Sequence, residues 1–190
     1  MTVPVWLLDV DGVVNACSRK PDGSVWPKDQ WLSGKAQNRD GEFPILWAQP
    51  VVDFIRDVHE SGRAEVRWHT TWQKDAAAIE ALCGLPAFEV AVAPEFDAAV
   101  TYAAEAIREG RPDWWKLPSA ERVVRDEKRP LVWTDDDITY SLKRYDADAG
   151  LRAYSPALLV SPNDRTGLTP KHLRRIGDFL DLHAAAGGAS

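Results

Sequence analysis

The chain contains no apolar run long enough to span a bilayer, and its start lacks the basic segment and apolar core of a secretion signal. It has only two cysteines, Cys17 and Cys83, which are far apart and fit no metal-ligand spacing. It also lacks a basic surplus, because the net charge is −6, which argues against a broad nucleic-acid surface but not against a local one. These absences predict a cytoplasmic protein with reduced thiols and no membrane partner.

The composition suits a folded domain of ordinary size. Apolar residues make up 45% of the 190 residues and charged residues 27%, so a sizeable core and a polar surface are both available. We expect a single domain over residues 1–183, with an insertion over residues 15–47. The last residues, 184–190, are small and are expected to form a disordered tail.

Segments typical of strands alternate along the chain with segments typical of helices. The predicted strands are Val3 to Leu8, Ala64 to His69, Phe88 to Ala93, Pro130 to Thr134 and Ala157 to Val160. The predicted helices are Pro50 to Ser61, Gln73 to Cys83, Ala98 to Arg108, Ser119 to Asp126, Ile138 to Arg144 and Thr169 to Leu182. This alternation predicts an α/β fold of three layers, Rossmann-like, in which helices cover both faces of a mostly parallel sheet.

The insertion over residues 15–47 is rich in proline, glycine and charge, but it also carries three tryptophans. Segments of this length without regular structure are usually functional or disordered, and the aromatic side chains argue against disorder. The Asp22-Gly23 pair is typical of a tight turn, so we expect a small β-hairpin flap folded over the first strand. Its basic residues, Arg19 among them, would bring positive charge close to the acidic residues that follow this strand.

Acidic and hydroxyl side chains follow three of the predicted strands. Asp9 and Asp11 come directly after the first strand, Thr70 after the second, and Asp135 and Asp136 after the fourth. Open α/β sheets bind their ligands at the carboxyl ends of the strands. Two acids separated by one residue point to the same side of a strand and repel each other unless a cation lies between them or one of them is protonated. The pattern therefore predicts a divalent metal site with oxygen ligands, which suits Mg²⁺.

Each of these residues could also have a purely structural role. The acids after the first strand could be solvated turn residues, although the buried strand before them argues against this. Thr70 or Thr71 could cap the helix expected at Gln73, and Thr71 is the better candidate for this role. Lys116, taken alone, is typical of a surface lysine, and Asp137 is suited to capping the helix that follows it.

The segment Asp9-Val10-Asp11-Gly12-Val13 resembles the first signature of the haloacid dehalogenase-like phosphohydrolases. The order of that segment, Thr70, Lys116 and the Asp135-Asp136 pair resembles the four motifs of the family and covers roughly Val3 to Ile138. Four further segments, 68–72, 115–117, 133–137 and 167–173, are similar to a subgroup associated with multifunctional RNA-repair proteins. Val13 departs from the pattern, because many relatives have threonine there.

The resemblance implies a Mg²⁺-dependent phosphatase that acts through an aspartyl phosphate. Asp9 would be the nucleophile and Asp11 the general acid and base, while Thr70 would donate its hydroxyl and Lys116 would neutralise the phosphate. The Mg²⁺ would be held by Asp9, by the main-chain carbonyl of Asp11 and by the Asp135-Asp136 pair. Which of those two neighbours ligates the metal directly stays open.

The predicted substrate is a phosphorylated small molecule or a nucleic-acid end. Nucleotides and polynucleotide phosphate ends are the first candidates. Trp72 could stack a base, and Thr71 and Arg19 could contact the substrate. One alternative is a phosphatase of small metabolites, which the negative net charge favours. Another is a signalling receiver-like module or a phosphate-binding module without turnover. The position of Lys116 before the late acid pair argues against a receiver, and the presence of both early acids argues against a module without turnover.

Overall fold

The computed structural model describes residues 2–91, 108–109, 114–145 and 147–184. The predicted helix from Ala98 to Arg108 lies outside the described residues except for its last position, and so do residues 185–190 of the predicted tail. None of the helices in these ranges is long and apolar enough to cross a membrane.

A five-stranded sheet forms the centre of the fold, and every neighbouring pair of its strands is parallel. Its strands are β1 (Val5–Leu8), β4 (Glu65–Trp68), β5 (Glu89–Val90), β6 (Leu131–Thr134) and β7 (Ala157–Val160). Their order across the sheet is β5-β4-β1-β6-β7. The predicted α/β fold with a mostly parallel sheet is therefore confirmed, with β1 at the centre of the sheet.

Helices pack on both faces of this sheet. They are α1 (Gln49–Glu60), α2 (Ala77–Cys83), α3 (Leu117–Arg125), α4 (Ile138–Tyr145), α5 (Ala147–Arg152) and α6 (Pro170–Ala184). Alternation along β1 sends Trp6 and Leu8 into a core with α1, α2 and α6, while Val5 and Leu7 join a second core with α3. Both cores are apolar and buried, as expected for a sheet that is covered on its two faces.

Two helical segments differ from the prediction. The segment from Gln73 begins as a 3-10 turn over Gln73–Ala76, and the regular helix starts only at Ala77. Gln73 has a φ of 52°, which an α-helix cannot accommodate, so the helix begins one turn later than predicted. The short α5 was not predicted, because its sequence contains glycine and aspartate and offers a single large apolar anchor, Leu151.

The insertion contains a two-stranded antiparallel hairpin, β2 (Trp31–Asn38) paired with β3 (Gly41–Ala48). Its turn lies at Arg39 and Asp40, so the prediction that Asp22-Gly23 forms the hairpin turn was wrong. The Asn38 side chain accepts a hydrogen bond from the Asp40 N–H at 2.8 Å, which closes this turn locally.

The Asp22-Gly23 pair instead forms a separate local turn. The Asp22 carboxylate accepts hydrogen bonds from the N–H and the hydroxyl of Ser24. The tip of the hairpin is tied to the main body by the Arg39 N–H, which donates to the carboxylate of Asp75 at 3.0 Å. The hairpin therefore rests on the 3-10 turn that precedes α2.

Gly167 lies against the loop that follows β1. Its φ is 62°, and a Cβ added there would lie 2.6 Å from the main-chain oxygen of Val13. The next residue, Leu168, donates its N–H to that same oxygen at 2.9 Å. The close approach therefore joins the segment before α6 to the loop that carries Asp9 and Asp11.

We predict that Gly167→Ala destabilises the protein more than Gly62→Ala does. Gly62 has a similar φ of 70°, but nothing lies within 4 Å of its added Cβ, so only the left-handed conformation is penalised, by about 1 kcal/mol. The contact of Gly167→Ala with Val13 should add roughly 1–3 kcal/mol. Urea unfolding of both variants measures the difference, and equal losses would show that the approach to Val13 is not tight.

Candidate functional site

The carboxyl ends of β1, β4 and β6 meet at one edge of the sheet. Leu8 at the end of β1 is paired in register with Trp68 on one side and with Thr134 on the other. The residues that follow these strands are therefore neighbours, and the Asp9 N–H donates to the main-chain oxygen of Thr134 at 3.1 Å. The parallel register thus places Asp9 beside Asp135.

Three carboxylates gather at this edge. Oxygens of Asp9, Asp135 and Asp136 lie within 4.8 Å of one another, and the first two residues are buried. Burial raises the pKa of Asp135, because its charged form loses contact with water. The pKa of Asp136 is raised to about 6, by its own burial first and then by the charge of Asp9. A cation placed among these three carboxylates would therefore stabilise their charged forms.

Lys116 supplies one such cation. Its ammonium donates to the carboxylate of Asp9 and, at 2.5 Å, to that of Asp135. Burial lowers the pKa of Lys116, but the charges of these two acids more than reverse this effect, so its pKa lies above the ordinary value. Only 6% of Lys116 is exposed, which excludes the alternative that it is a surface lysine.

The donor set of the cluster fits a divalent cation. Three carboxylates face a single ammonium, so the charge of the group stays negative when all are ionised. Carboxylate oxygens are the ligands that Mg²⁺ prefers in proteins. Gly12 makes room for the cluster, since it has a φ of 70° and a Cβ there would collide with the carboxyl carbon of Asp136.

Asp11 belongs to a different hydrogen-bond network. Because β1 ends at Leu8, the strand alternation that would align Asp11 with Asp9 does not extend to it. One oxygen of Asp11 accepts from the side-chain amide of Asn15 at 2.7 Å, and the other accepts from the indole N–H of Trp72 at 2.8 Å. The side chain of Asp11 is thus held apart from the three clustered acids, and a metal role for its main-chain carbonyl stays a prediction.

Thr70 lies at the carboxyl end of β4 and is fully buried. Its hydroxyl oxygen accepts a hydrogen bond from the Trp72 N–H at 3.4 Å, while its carbonyl accepts from the Gln73 side chain at 2.7 Å. The alternative in which Thr71 caps the next helix is wrong, because the turn has no side-chain cap and Thr71 is exposed. Thr70 organises this turn instead.

A cleft of about 550 Å³ opens beside Asp11. The three predicted substrate-binding residues, Arg19, Thr71 and Trp72, all line it. Its other walls are the loop after β1 and the hairpin, which contributes Asn38, Phe43 and Pro44. Trp72 is only 4% exposed, so little of its ring is available for the base stacking that was predicted.

Asn15, a polar residue near the site, was missed. Asn15 links Asp11 to the hairpin, and the signal that could have found it is an amide just beyond the glycine turn that follows the two acids. His69 is fully buried between the rings of Trp115 and Trp133. Burial and the charge of Lys116 lower the pKa of His69, so it is neutral.

Comparison of the chain with protein-family models, with curated proteins and with solved structures found no match. The arguments for function therefore come from the sheet edge, the acid cluster and the adjoining cleft.

We predict that Lys116→Met destabilises the protein by about 3–5 kcal/mol in the absence of divalent cations, because it leaves two buried carboxylates without their partner. Lys171→Met, at an exposed lysine, is the control and should change stability by less than about 0.5 kcal/mol. Because burial raises the pKa of Asp135, this acid becomes protonated as the pH falls, and the destabilisation caused by Lys116→Met should then shrink. Urea unfolding at several pH values measures both effects, and matching results for the two variants would contradict them.

Proposed function

We propose that this protein is a Mg²⁺-dependent phosphatase of the haloacid dehalogenase-like type that hydrolyses phosphate monoesters through an aspartyl phosphate. The observation that carries the proposal is the ammonium of Lys116 bound to Asp9 and Asp135 within a group of three carboxylates. Phosphoryl transfer needs a nucleophile and fixed positive charge around the phosphate more than other covalent chemistry. At the edge where α/β sheets bind their ligands, a buried carboxylate can supply the nucleophile and the adjacent lysine the positive charge.

Asp9 is the proposed nucleophile. One of its oxygens accepts from the Val10 N–H at 2.7 Å and the other from Lys116, so the carboxylate is held in one orientation. In the first step an oxygen of Asp9 bonds to phosphorus, the bond from phosphorus to the leaving oxygen breaks, and protonated Asp11 gives its proton to that oxygen.

The second step releases the phosphate. Water attacks the phosphorus of the aspartyl phosphate and gives its proton to Asp11, and the carboxylate of Asp9 leaves unchanged. Lys116 offsets negative charge throughout, and the hydroxyl of Thr70 is the proposed donor to a phosphate oxygen. Mg²⁺, held by Asp9, Asp135 and Asp136, would supply further positive charge for the phosphate oxygens.

The cleft is the proposed site for the rest of the substrate. It adjoins Asp11, which in this mechanism meets the leaving oxygen, and Arg19 on its wall offers a positive charge for an anionic leaving group. The hairpin that forms the opposite wall would then act as the predicted flap. Phe43 is 40% exposed and offers an open aromatic ring, which supports nucleotide or polynucleotide phosphates over small aliphatic esters.

We predict that Asp9→Asn lowers phosphatase turnover by at least roughly 10⁴-fold, because an amide cannot form the aspartyl phosphate. The substitution keeps the shape of the side chain, so the fold should persist. Asp178→Asn, at an exposed acid on α6, is the control and should leave turnover unchanged. Steady-state release of phosphate from nucleotides, 3′-phosphorylated oligonucleotides and sugar phosphates, with Mg²⁺ present, is the measurement. Activity of Asp9→Asn close to that of the parent would refute the nucleophile.

We also predict that Mg²⁺ raises the melting temperature of the parent, since it binds the folded acid cluster and relieves its repulsion. At a concentration 100 times the dissociation constant, the gain should be about 2.7 kcal/mol. Asp136→Ala should lose most of this gain, whereas Asp137→Ala, at the exposed neighbour, should keep it. Thermal melts with and without Mg²⁺ compare the three proteins. The same gain in Asp136→Ala as in the parent would place the metal elsewhere.

A further inference from the structure

Both oxygens of the Asp11 carboxylate are held by N–H donors from different parts of the chain. Asn15 donates its side-chain amide at 2.7 Å, and Trp72 donates its indole N–H at 2.8 Å. Both donor residues are buried. A carboxylate that is bound at each oxygen by a buried donor is fixed in its plane, and each oxygen keeps a lone pair that can carry a proton.

The orientation of the Asn15 amide is determined by the hairpin. Its side-chain oxygen accepts from the N–H of Leu46 in β3 at 2.9 Å. A main-chain N–H can only donate, so the atom of Asn15 that faces Leu46 must be the oxygen, and the NH₂ group must face Asp11. The hydrogen bond from the main chain of β3 therefore orients the Asn15 amide so that its NH₂ group donates to Asp11.

The second donor also rests on β3. The ring of Phe43 contacts the Trp72 ring edge-to-face, with centroids 6.0 Å apart. Trp72 is 4% exposed, and its indole N–H donates to the carboxylate of Asp11. Both donors to Asp11 thus depend on the strand that also forms a wall of the cleft.

We propose that Trp72 and Asn15 are positioning residues, which hold the carboxylate of Asp11 so that it can deliver a proton to the leaving oxygen. This inference rests on the proposed function, since it assigns the two residues to the general-acid step of that reaction. It replaces base stacking as the role of Trp72, and it makes β3 the element that aligns the acid with a substrate in the cleft.

A purely structural role for Trp72 would slow all substrates alike, whereas a positioning role depends on the leaving group. An alkyl alcohol needs a proton as it leaves, while nitrophenolate is already a stable anion. Trp72→Phe removes the N–H and keeps an aromatic ring. It should slow formation of the aspartyl phosphate about 10-fold with an alkyl phosphate, a fraction of what a general acid provides, and less than about twofold with the nitrophenyl ester.

The matched control is Trp68→Phe, because Trp68 is also buried and its indole N–H also donates to a carboxylate, that of Glu80 at 2.7 Å. Rapid-quench measurements on both esters should show no difference between the esters for this variant. In an Asp11→Asn background, Trp72→Phe should cause no further loss with the alkyl ester, because the group through which it acts is already gone. Asn15→Ala removes the other donor and should also slow the alkyl ester more than the nitrophenyl ester. If Trp72→Phe does not fold, Asn15→Ala takes its place in this experiment.

A spectroscopic measurement tests the contact without turnover. Of the nine tryptophan indole N–H signals, the one that Trp72→Phe removes should move upfield in Asp11→Asn, because the amide is a weaker acceptor than the carboxylate, while the Trp68 signal should not move. Absence of phosphatase activity in the parent would overturn the proposed function and this inference together. An active parent in which Trp72→Phe slows both esters equally, or in which the indole signal does not move, would overturn the positioning role alone.

Discussion

The ammonium of Lys116 lies between the carboxylates of Asp9 and Asp135, and the burial of these two acids at one sheet edge depends on that contact. The parallel register of β1 and β6 makes these two acids neighbours, and burial deprives both of water. Such a pair is strongly unfavourable without a cation, so the chain must bring a lysine back to this edge from the start of α3. Asp136 adds a third negative charge that Lys116 alone does not balance, which is the electrostatic reason to propose a metal.

Asp9 and Asp11 are two residues apart but lie in different surroundings, and this difference suits them to different tasks. Asp9 is bound to a fixed cation, the ammonium of Lys116, which suits the proposed nucleophile. Among the described residues, the carboxylate of Asp11 is bound by the neutral N–H donors of Asn15 and Trp72, and it lies at the cleft, which suits the proposed general acid. Acid and nucleophile roles for two nearby carboxylates are commonly separated in this way by their environments.

The parts of the site that follow from β-sheet geometry could be predicted from the sequence. Residues just after parallel strands meet at one edge whatever the details of packing, so Asp9, Thr70 and Asp135 were predicted as neighbours before the structure was known. The burial of Lys116 could not be predicted from its own surroundings in the chain, because it depends on how α3 approaches the sheet. Its place in the order of motifs was the only signal.

The parts that depend on the hairpin could not be predicted, because two local turn signals compete within residues 15–47. The Asp22-Gly23 pair forms a local turn without flanking strands. The turn at Arg39 and Asp40, by contrast, depends on the pairing of the long strands on either side of it. With the turn assigned to the wrong place, the register of β3 was unknown. The contacts of that strand with Asn15 and Trp72 could therefore not be predicted from the sequence alone.

The two links between β3 and Asp11 differ in the kind of atom that makes them, and this constrains how the cleft can change. Leu46 acts through its main-chain N–H, so its side chain can vary without altering the orientation of the Asn15 amide. Phe43 acts through its ring, so a smaller side chain there would remove this contact with Trp72. Pro44 also lines the cleft. Changes at positions such as Pro44 can therefore alter the shape of the cleft while the two contacts that align Asp11 are preserved.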